Sequence, residues 1–464
     1  MIQSERHKKY LALREKYPEF VFAGYDFRCE GSRINIDFSY EVGNEFAFCS
    51  SWKVNLGTHA ECMANVPGHK NALFNLGMAE LISYWKAFCS PTIVSGFQKM
   101  TPVQKAWWEK LFRFGLAEFF HVNQIPQPGS ELLRFNSPRS ADSFDGINRT
   151  SDQAYQNDKV LVPVGGGKDS VVGLQILRAS GRKAIPFVVN PRGATNEVIK
   201  EAGYHNDDCI TIERTIDPLL LELNAKGFLN GHTPFSALLA FATVFVAQKA
   251  DINEIALSNE SSANEATIPG TKINHQYSKS FEFEKDFRHY ISNFVDDGIE
   301  YFSLLRPLNE LQIAERFARE KQFHKAFKSC NVGSKQDTWC CKCPKCLFTF
   351  IILSPFLSSE SLQNIFGRNL FEDEELVTEL EALCGIASEK PFECVGTLDD
   401  VNIALAAVIK KYKREHCPLP VLLAHYRKSS MFEAYKDRSM EEYLGTFNDE
   451  HFVPKRYLPL VGRS

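Results

Sequence analysis

Val160-Leu-Val-Pro-Val-Gly-Gly-Gly-Lys-Asp-Ser-Val-Val172 sets a short apolar run directly ahead of three glycines, a lysine, an aspartate and a serine. Such a run bounded by turn residues is the pattern of a buried strand. Ser170 to Ser180 then carry helical spacing, closed by Gly181. Consecutive glycines let the backbone take positive φ and approach a ligand closely. Their N–H groups, with the helix N-terminus behind them, make a concavity for anions. Gly165, Gly166, Gly167, Lys168, Asp169 and Ser170 are therefore candidate phosphate-binding residues. A Walker loop would need four residues between its first Gly and its Gly-Lys-Ser/Thr, and a dinucleotide fingerprint would need Gly where Ser170 stands. Neither is present. The bland alternative is a glycine turn with no ligand.

Outward from this junction, Ala184–Asn190, Cys209–Ile212 and Glu254–Ser258 are apolar runs, and a long helical pattern starting at Pro234 precedes the last of them. Strands spaced by helices make βαβ units and a parallel sheet. Upstream, Phe20–Ala23, Ile34–Tyr40 and Glu45–Phe48 alternate like half-buried strands, and Asn71–Phe88 and Pro102–Phe120 carry helical spacing. Residues 137–158 are polar and without a period, and mark a boundary. Beyond Pro355 the chain reads as mostly helical. The expected architecture is α/β: an α+β region over 1–150, a central parallel-sheet nucleotide-binding domain over 151–355, and a helical region over 356–464.

Composition bounds the function. The 464 residues carry 53 Lys and Arg against 57 Asp and Glu, a net charge of −4, so neither nucleic acid nor a membrane surface is an expected partner. No apolar run approaches the ~18 residues of a membrane span. The first residues, MIQSERHKKYLALREKY, lack the apolar core of a secretory signal, so a cytoplasmic location is expected. Oligomeric state leaves no trace in the sequence.

A second polar constellation follows the strand at Glu254. It comprises Ala256-Leu-Ser-Asn-Glu-Ser-Ser-Ala-Asn264 and Asn274-His-Gln-Tyr-Ser-Lys-Ser-Phe-Glu-Phe-Glu284, with Asn230-Gly-His-Thr-Pro234 upstream. Ligands of open α/β sheets sit beyond the carboxyl ends of strands. Ser258 and Asn259, together with Asn190 at the end of its own strand, are thus candidate nucleotide contacts; the alternative is a polar surface loop. GGGKDS at a strand-to-helix junction resembles the SGGxDS signature of the PP-loop (N-type) ATP pyrophosphatases, with Gly165 in place of the first Ser. That resemblance implies ATP as co-substrate, Mg²⁺, and AMP transfer to a substrate oxygen with loss of pyrophosphate.

Those segments, with Glu80-Leu-Ile-Ser-Tyr-Trp-Lys86 and Trp339-Cys-Cys-Lys-Cys-Pro-Lys-Cys346, resemble the UDP-N-acetylmuramoyl-L-alanyl-L-glutamate epimerase (MurL) family over most of residues 70–356. The resemblance implies an isomerase of peptidoglycan biosynthesis, acting on a UDP-linked muramoyl dipeptide through an acyl-adenylate. Proton transfer at Cα needs a positioned acid and base; Glu260, His275, Lys279 and His232 are the candidates. Arg192, Arg288 and Arg306 are candidate substrate contacts, guanidinium being suited to carboxylate and phosphate. A PP-loop enzyme that adenylates another acid or a nucleobase for amidation or thiolation is the alternative, and a non-catalytic nucleotide sensor a third.

Cys330, Cys340, Cys343 and Cys346 have the spacing C-x9-C-x2-C-x2-C. Two-residue gaps let thiolates converge on one tetrahedral ion, so a closed structural zinc site is expected. The pattern also resembles the zinc site of 7-cyano-7-deazaguanine synthases. Metal-free reduced thiols, or a redox or iron–sulfur role, are the alternatives.

Overall fold

The computed structural model describes residues 4–60, 69–143, 146, 158–268, 270–271 and 273–462. In chain order its strands are β1 (Glu19–Glu30), β2 (Arg33–Val42), β3 (Phe46–Asn55), β4 (Thr92–Ser95), β5 (Arg134–Asn136), β6 (Lys159–Pro163), β7 (Lys183–Val189), β8 (Ile210–Thr215), β9 (Glu254–Leu257) and β10 (Glu300–Ser303). They form one ten-stranded sheet, ordered β10-β9-β6-β7-β8-β3-β2-β1-β4-β5.

The five strands from β10 to β8 are mutually parallel. From β6 the chain steps to β7 and β8 on one side, then returns to add β9 and β10 on the other. The strand order therefore reverses between β6 and β9, and that gap is where open α/β sheets bind ligands. β6 is covered on both faces, as parallel strands are. Val160 and Val162 pack with Val171, Leu174 and Leu177 of the Lys168–Ala179 helix. Leu161 points the other way, into a core with Phe241 and Phe245 of the Phe235–Lys249 helix. The C-terminal helices, through Leu347, Leu380 and Leu405, join the Val160 side.

The remaining strands follow period two, except that β1 slips register between Phe22 and Gly24. β2 alternates strictly, burying Ile34, Ile36, Phe38, Tyr40 and Val42. β3 pairs antiparallel with β8, from Ser51↔Thr215 to Asn55↔Thr211. The sheet thus continues across the boundary expected at 137–158, of which residues 144–145 and 147–157 lie outside the described residues. Two expectations are corrected. The helix expected over Pro102–Phe120 is two helices, Pro102–Gly115 and Ala117–Val122, hinged at Leu116. β1 and β3 run well past the short segments expected, because their pairing with β2 carries polar positions along. No helix among the described residues is long and apolar enough to cross a membrane.

Candidate active site

The glycine loop leaves β6 at the reversal of strand order and enters the Lys168–Ala179 helix with Gly167 at its N-cap. Gly166 has φ +85°, and a Cβ there would lie 3.1 Å from the Thr195 backbone nitrogen. Only glycine suits such a position. A Cβ on Gly167 would lie 2.9 Å from Ser329 Oγ, whereas nothing stands within 4 Å of one on exposed Gly165. Among the described residues no side chain caps the helix, which leaves its first N–H groups for a ligand. Ser170 Oγ donates to the Gly167 carbonyl at 2.9 Å.

Beneath the loop lies a buried charge cluster. Lys168 is 4% exposed and its ammonium contacts the carboxylates of Asp169 and Glu310. Burial works against that charge, but Asp169, Glu310 and Glu260 outweigh it and hold the ammonium above the ordinary lysine range. Burial would raise Asp169, yet Lys168 keeps it below the usual carboxylate range, helped by Lys345 and Lys279. Glu310 is pushed up, by burial and by the neighbouring Asp169 and Glu260 charges. Lys168 is thus directed at carboxylates inside the fold.

The segment after β9 closes the other side. Ser258 Oγ, at the gap itself, is buried with no hydrogen-bond partner among the described residues. Asn259 donates to Ser303 Oγ at 3.1 Å, and Glu260 accepts from Ser262 Oγ at 2.8 Å. Farther along, His275 Nδ1 contacts the Glu118 carboxylate, and His232 Nδ1 lies 3.4 Å from the same oxygen. The two imidazoles meet at a tilt of 51°, with ring centroids 4.5 Å apart. Burial and the neighbouring His275 charge push His232 down to about 4. Burial opposes a charge on His275 too, but Cys394 and Glu118 overcome it and lift it to about 9. Lys279 Nζ stands 3.1 Å from Cys394 Sγ.

The remaining expected contacts scatter. Arg306 is fully buried and donates to the carbonyls of Glu260, at 2.6 Å, and Lys279, and to Glu284 at 3.0 Å. It fastens the segment after β9 rather than facing solvent. Arg288 donates to the Tyr301 carbonyl and lies over the Phe452 ring. Asn190, at φ +50°, exchanges hydrogen bonds with the backbone of Arg214 at 2.7 and 3.3 Å. Arg192 is exposed beside it, at the head of the Gly193–Glu201 helix.

The four cysteines converge. Their sulfurs lie within 4.8 Å of one another. Cys340–Cys346, Cys343–Cys346 and Cys330–Cys343 are separated by 3.8, 3.5 and 4.0 Å. Thiolates about 2.3 Å from one tetrahedral ion stand about 3.8 Å apart, so the set fits zinc. Cys341 turns away and donates to the Phe366 carbonyl at 3.2 Å.

Four groups of the site had no signal in the sequence: Glu118, Glu310, Lys345 and Cys394. Glu118, Glu310 and Cys394 are single polar residues in otherwise ordinary helices or loops, and Lys345 stands inside the cysteine motif, where it reads only as a spacer. Known proteins resemble this one over most of its length. Sequence models of the MurL N-terminal domain and the MurL C-terminal domain match residues 12–304 and 324–438. Three curated relatives are each named UDP-N-acetyl-alpha-D-muramoyl-L-alanyl-L-glutamate epimerase. The protein from Xanthomonas oryzae pv. oryzae is 33% identical over 374 residues, 76% of this chain and 80% of its own. That from a Micromonospora species is 33% identical over 346 residues, 73% of this chain and 74% of the relative. The Salinispora tropica protein is 34% identical over 333 residues, 70% of each chain. No solved structure matches.

Proposed function

The chain belongs to the MurL family, and on that premise we propose that it inverts the terminal glutamate of UDP-N-acetylmuramoyl-L-alanyl-L-glutamate from L to D, activating that residue's carboxylate with ATP. One observation carries the reading. The glycine loop leaves β6 and the polar segment leaves β9 at the same reversal of strand order, with Arg306 fastening the backbone of Glu260 and Lys279 there.

The chemistry requires both halves. Cα–H of a free glutamate is a very weak acid, because the adjacent carboxylate is already negative. Attack of a carboxylate oxygen on the α-phosphate of ATP releases pyrophosphate and leaves an acyl-adenylate whose carbonyl can delocalise a carbanion. The uncapped N–H groups behind Gly167 suit the pyrophosphate, and the buried, unpartnered Ser258 hydroxyl is a donor for the nucleotide. Magnesium neutralises triphosphate charge when bound, and Asp169, kept ionised by Lys168, is the loop's group to hold it. Removal of the Cα proton, return of a proton on the opposite face, and hydrolysis then give AMP and the D-glutamyl product. Glu260, His275, Lys279 and His232 are the group from which acid and base are drawn. A groove of about 540 Å³ lined by Asn264, Asn274, Tyr277 and Lys285 runs along the same segment and offers room for the remainder of a long substrate.

Incubation with ATP and this dipeptide precursor in D₂O tests the proposal. It expects AMP and pyrophosphate together with deuterium at Cα. Ammonia-dependent product would favour the amidating alternative instead, and nucleotide binding without turnover a sensor.

A further inference from the structure

The segment around Cys394 crosses the site from the C-terminal side. Lys390 pins it at one end, donating to Glu265 at 3.1 Å, while its backbone N–H reaches the Thr267 carbonyl at 3.3 Å. The same Nζ donates to the Gly396 carbonyl at 2.8 Å, and Lys345 holds the Cys394 carbonyl. Phe392 packs on the His121 ring, with centroids 5.4 Å apart. The thiol is therefore held in place, and it is only half-buried. Lys279 Nζ lies 3.1 Å from it, and His275, backed by Glu118, is near enough to favour its thiolate.

We propose that Cys394 is a proton-transfer residue of the epimerisation, working at Cα of the activated glutamyl group on one face, with His275 and Glu118 relaying its proton toward solvent. This rests on the functional reading above. In the forward direction the thiolate takes the Cα proton: an S–H bond forms, the C–H bond breaks, and the electron pair moves onto the acyl carbonyl oxygen. An acid on the opposite face then gives its proton to Cα, the electron pair returning from the acyl oxygen to make the new C–H bond; the His275 imidazolium passes a proton to the Glu118 carboxylate and takes up the Cys394 proton in its place. No oxidant or reductant enters.

The placement of the charges supports a thiolate. Burial opposes it, but Lys279, His275 and Lys345 outweigh burial and bring the thiol down to about 6. Lys279 faces the sulfur, Lys345 sits on the Cys394 carbonyl, and the adjoining Glu393 carboxyl feels the thiolate charge and is itself pushed up, first by burial. Glu118 stands behind His275, and Glu260 and Asp169 act on Lys279. Lys279 and His275 adjoin Cys394, so they share its side of the substrate. Lys279 is thus a positioning residue for the thiolate and His275 its proton relay, which leaves Glu260 and His232 of the four candidates for the opposite face.

The test compares purified wild type, Cys394→Ser and Cys394→Ala with ATP and the dipeptide precursor in D₂O. Both variants should keep substrate-dependent pyrophosphate release within about threefold and lose Cα deuterium uptake by about 10²–10⁴-fold, the range for a removed acid–base group. Normal deuterium uptake in Cys394→Ala overturns the thiol assignment alone. No pyrophosphate release from the wild type with this substrate overturns the functional reading itself. Alkylation of the wild type with iodoacetamide decides independently of whether the variants fold. Labelling of Cys394 should rise through about pH 6 and be slowed by ATP with substrate, and His275→Gln should move the midpoint upward. A midpoint near the ordinary thiol value of about 8.5, or indifference to substrate, overturns the proposal.

Discussion

Arg214 grips Glu80 through two nitrogens, with Nε 2.7 Å from one carboxylate oxygen and an Nη 2.9 Å from the other. Glu80 is fully buried in the His69–Trp85 helix, and Arg214 lies on β8 next to the antiparallel partner β3. The same guanidinium reaches Ser83 Oγ at 2.9 Å, and Ser50 Oγ donates to Glu80 at 2.8 Å. This pair joins the first part of the chain to the parallel sheet. Removing one partner strands a buried charge, a loss of about 3–5 kcal/mol. Glu80→Ala and Arg214→Ala should each lower urea-denaturation stability by that much, and the double variant by less than the sum. Unchanged midpoints would refute the role of the pair.

Gly166→Ala should damage nucleotide binding more than stability. A left-handed backbone with a Cβ costs about 1–2 kcal/mol, and the methyl would press on Thr195 at the loop itself. Titration with a non-hydrolysable ATP analogue should show at least tenfold weaker binding. Asp169→Ala and Ser170→Ala should abolish ATP-dependent turnover. Wild-type behaviour in all three would remove the phosphate-loop assignment.

Zinc should copurify at one ion per chain. Cys343→Ser should lose it and melt at a lower temperature, whereas Cys341→Ser, whose sulfur faces Phe366, should keep it. Elemental analysis without metal, combined with unaltered melting in Cys343→Ser, would dismiss the site.

The arginines should separate by readout. Arg306→Met strands Glu284 and frees the backbone of Glu260 and Lys279, so it should cost about 3–5 kcal/mol of stability. Arg192→Ala, at an exposed helix head, should leave melting unchanged and raise the KM for the dipeptide precursor. A stable Arg306→Met with a raised KM would reverse the two roles.

The strands flanking the glycine loop were legible because a parallel sheet demands continuous apolar runs, and Val160–Val162 and Ala184–Val188 have them. β4, β5 and β10 were not. Each has three or four residues, too few to show a period, and their pairing comes from neighbours elsewhere in the chain. Within the site, the cysteines announced themselves because their ligand spacing is local. His275 and Lys279 stood out through the density of polar residues around them. Glu118 and Cys394 did not, since their roles exist only once helices far apart in sequence have docked. Arg306 shows the converse failure: its residue type suggests an anion, but burial against backbone carbonyls gives it a structural task.

The antiparallel pairing of β3 with β8 also has a consequence during synthesis. β1, β2 and β3 can form a meander as soon as they leave the ribosome, but the outer edge of β3 gains its partner only after β6 and β7 have been made. Translation runs at about 5–20 residues per second, so that edge stays open for seconds. Unpaired edges invite pairing with other chains. Charged Lys53, exposed near the end of β3, guards it in the interval. Replacing Lys53 with an apolar residue should therefore reduce the yield of folded protein during expression while leaving the finished enzyme as stable as before.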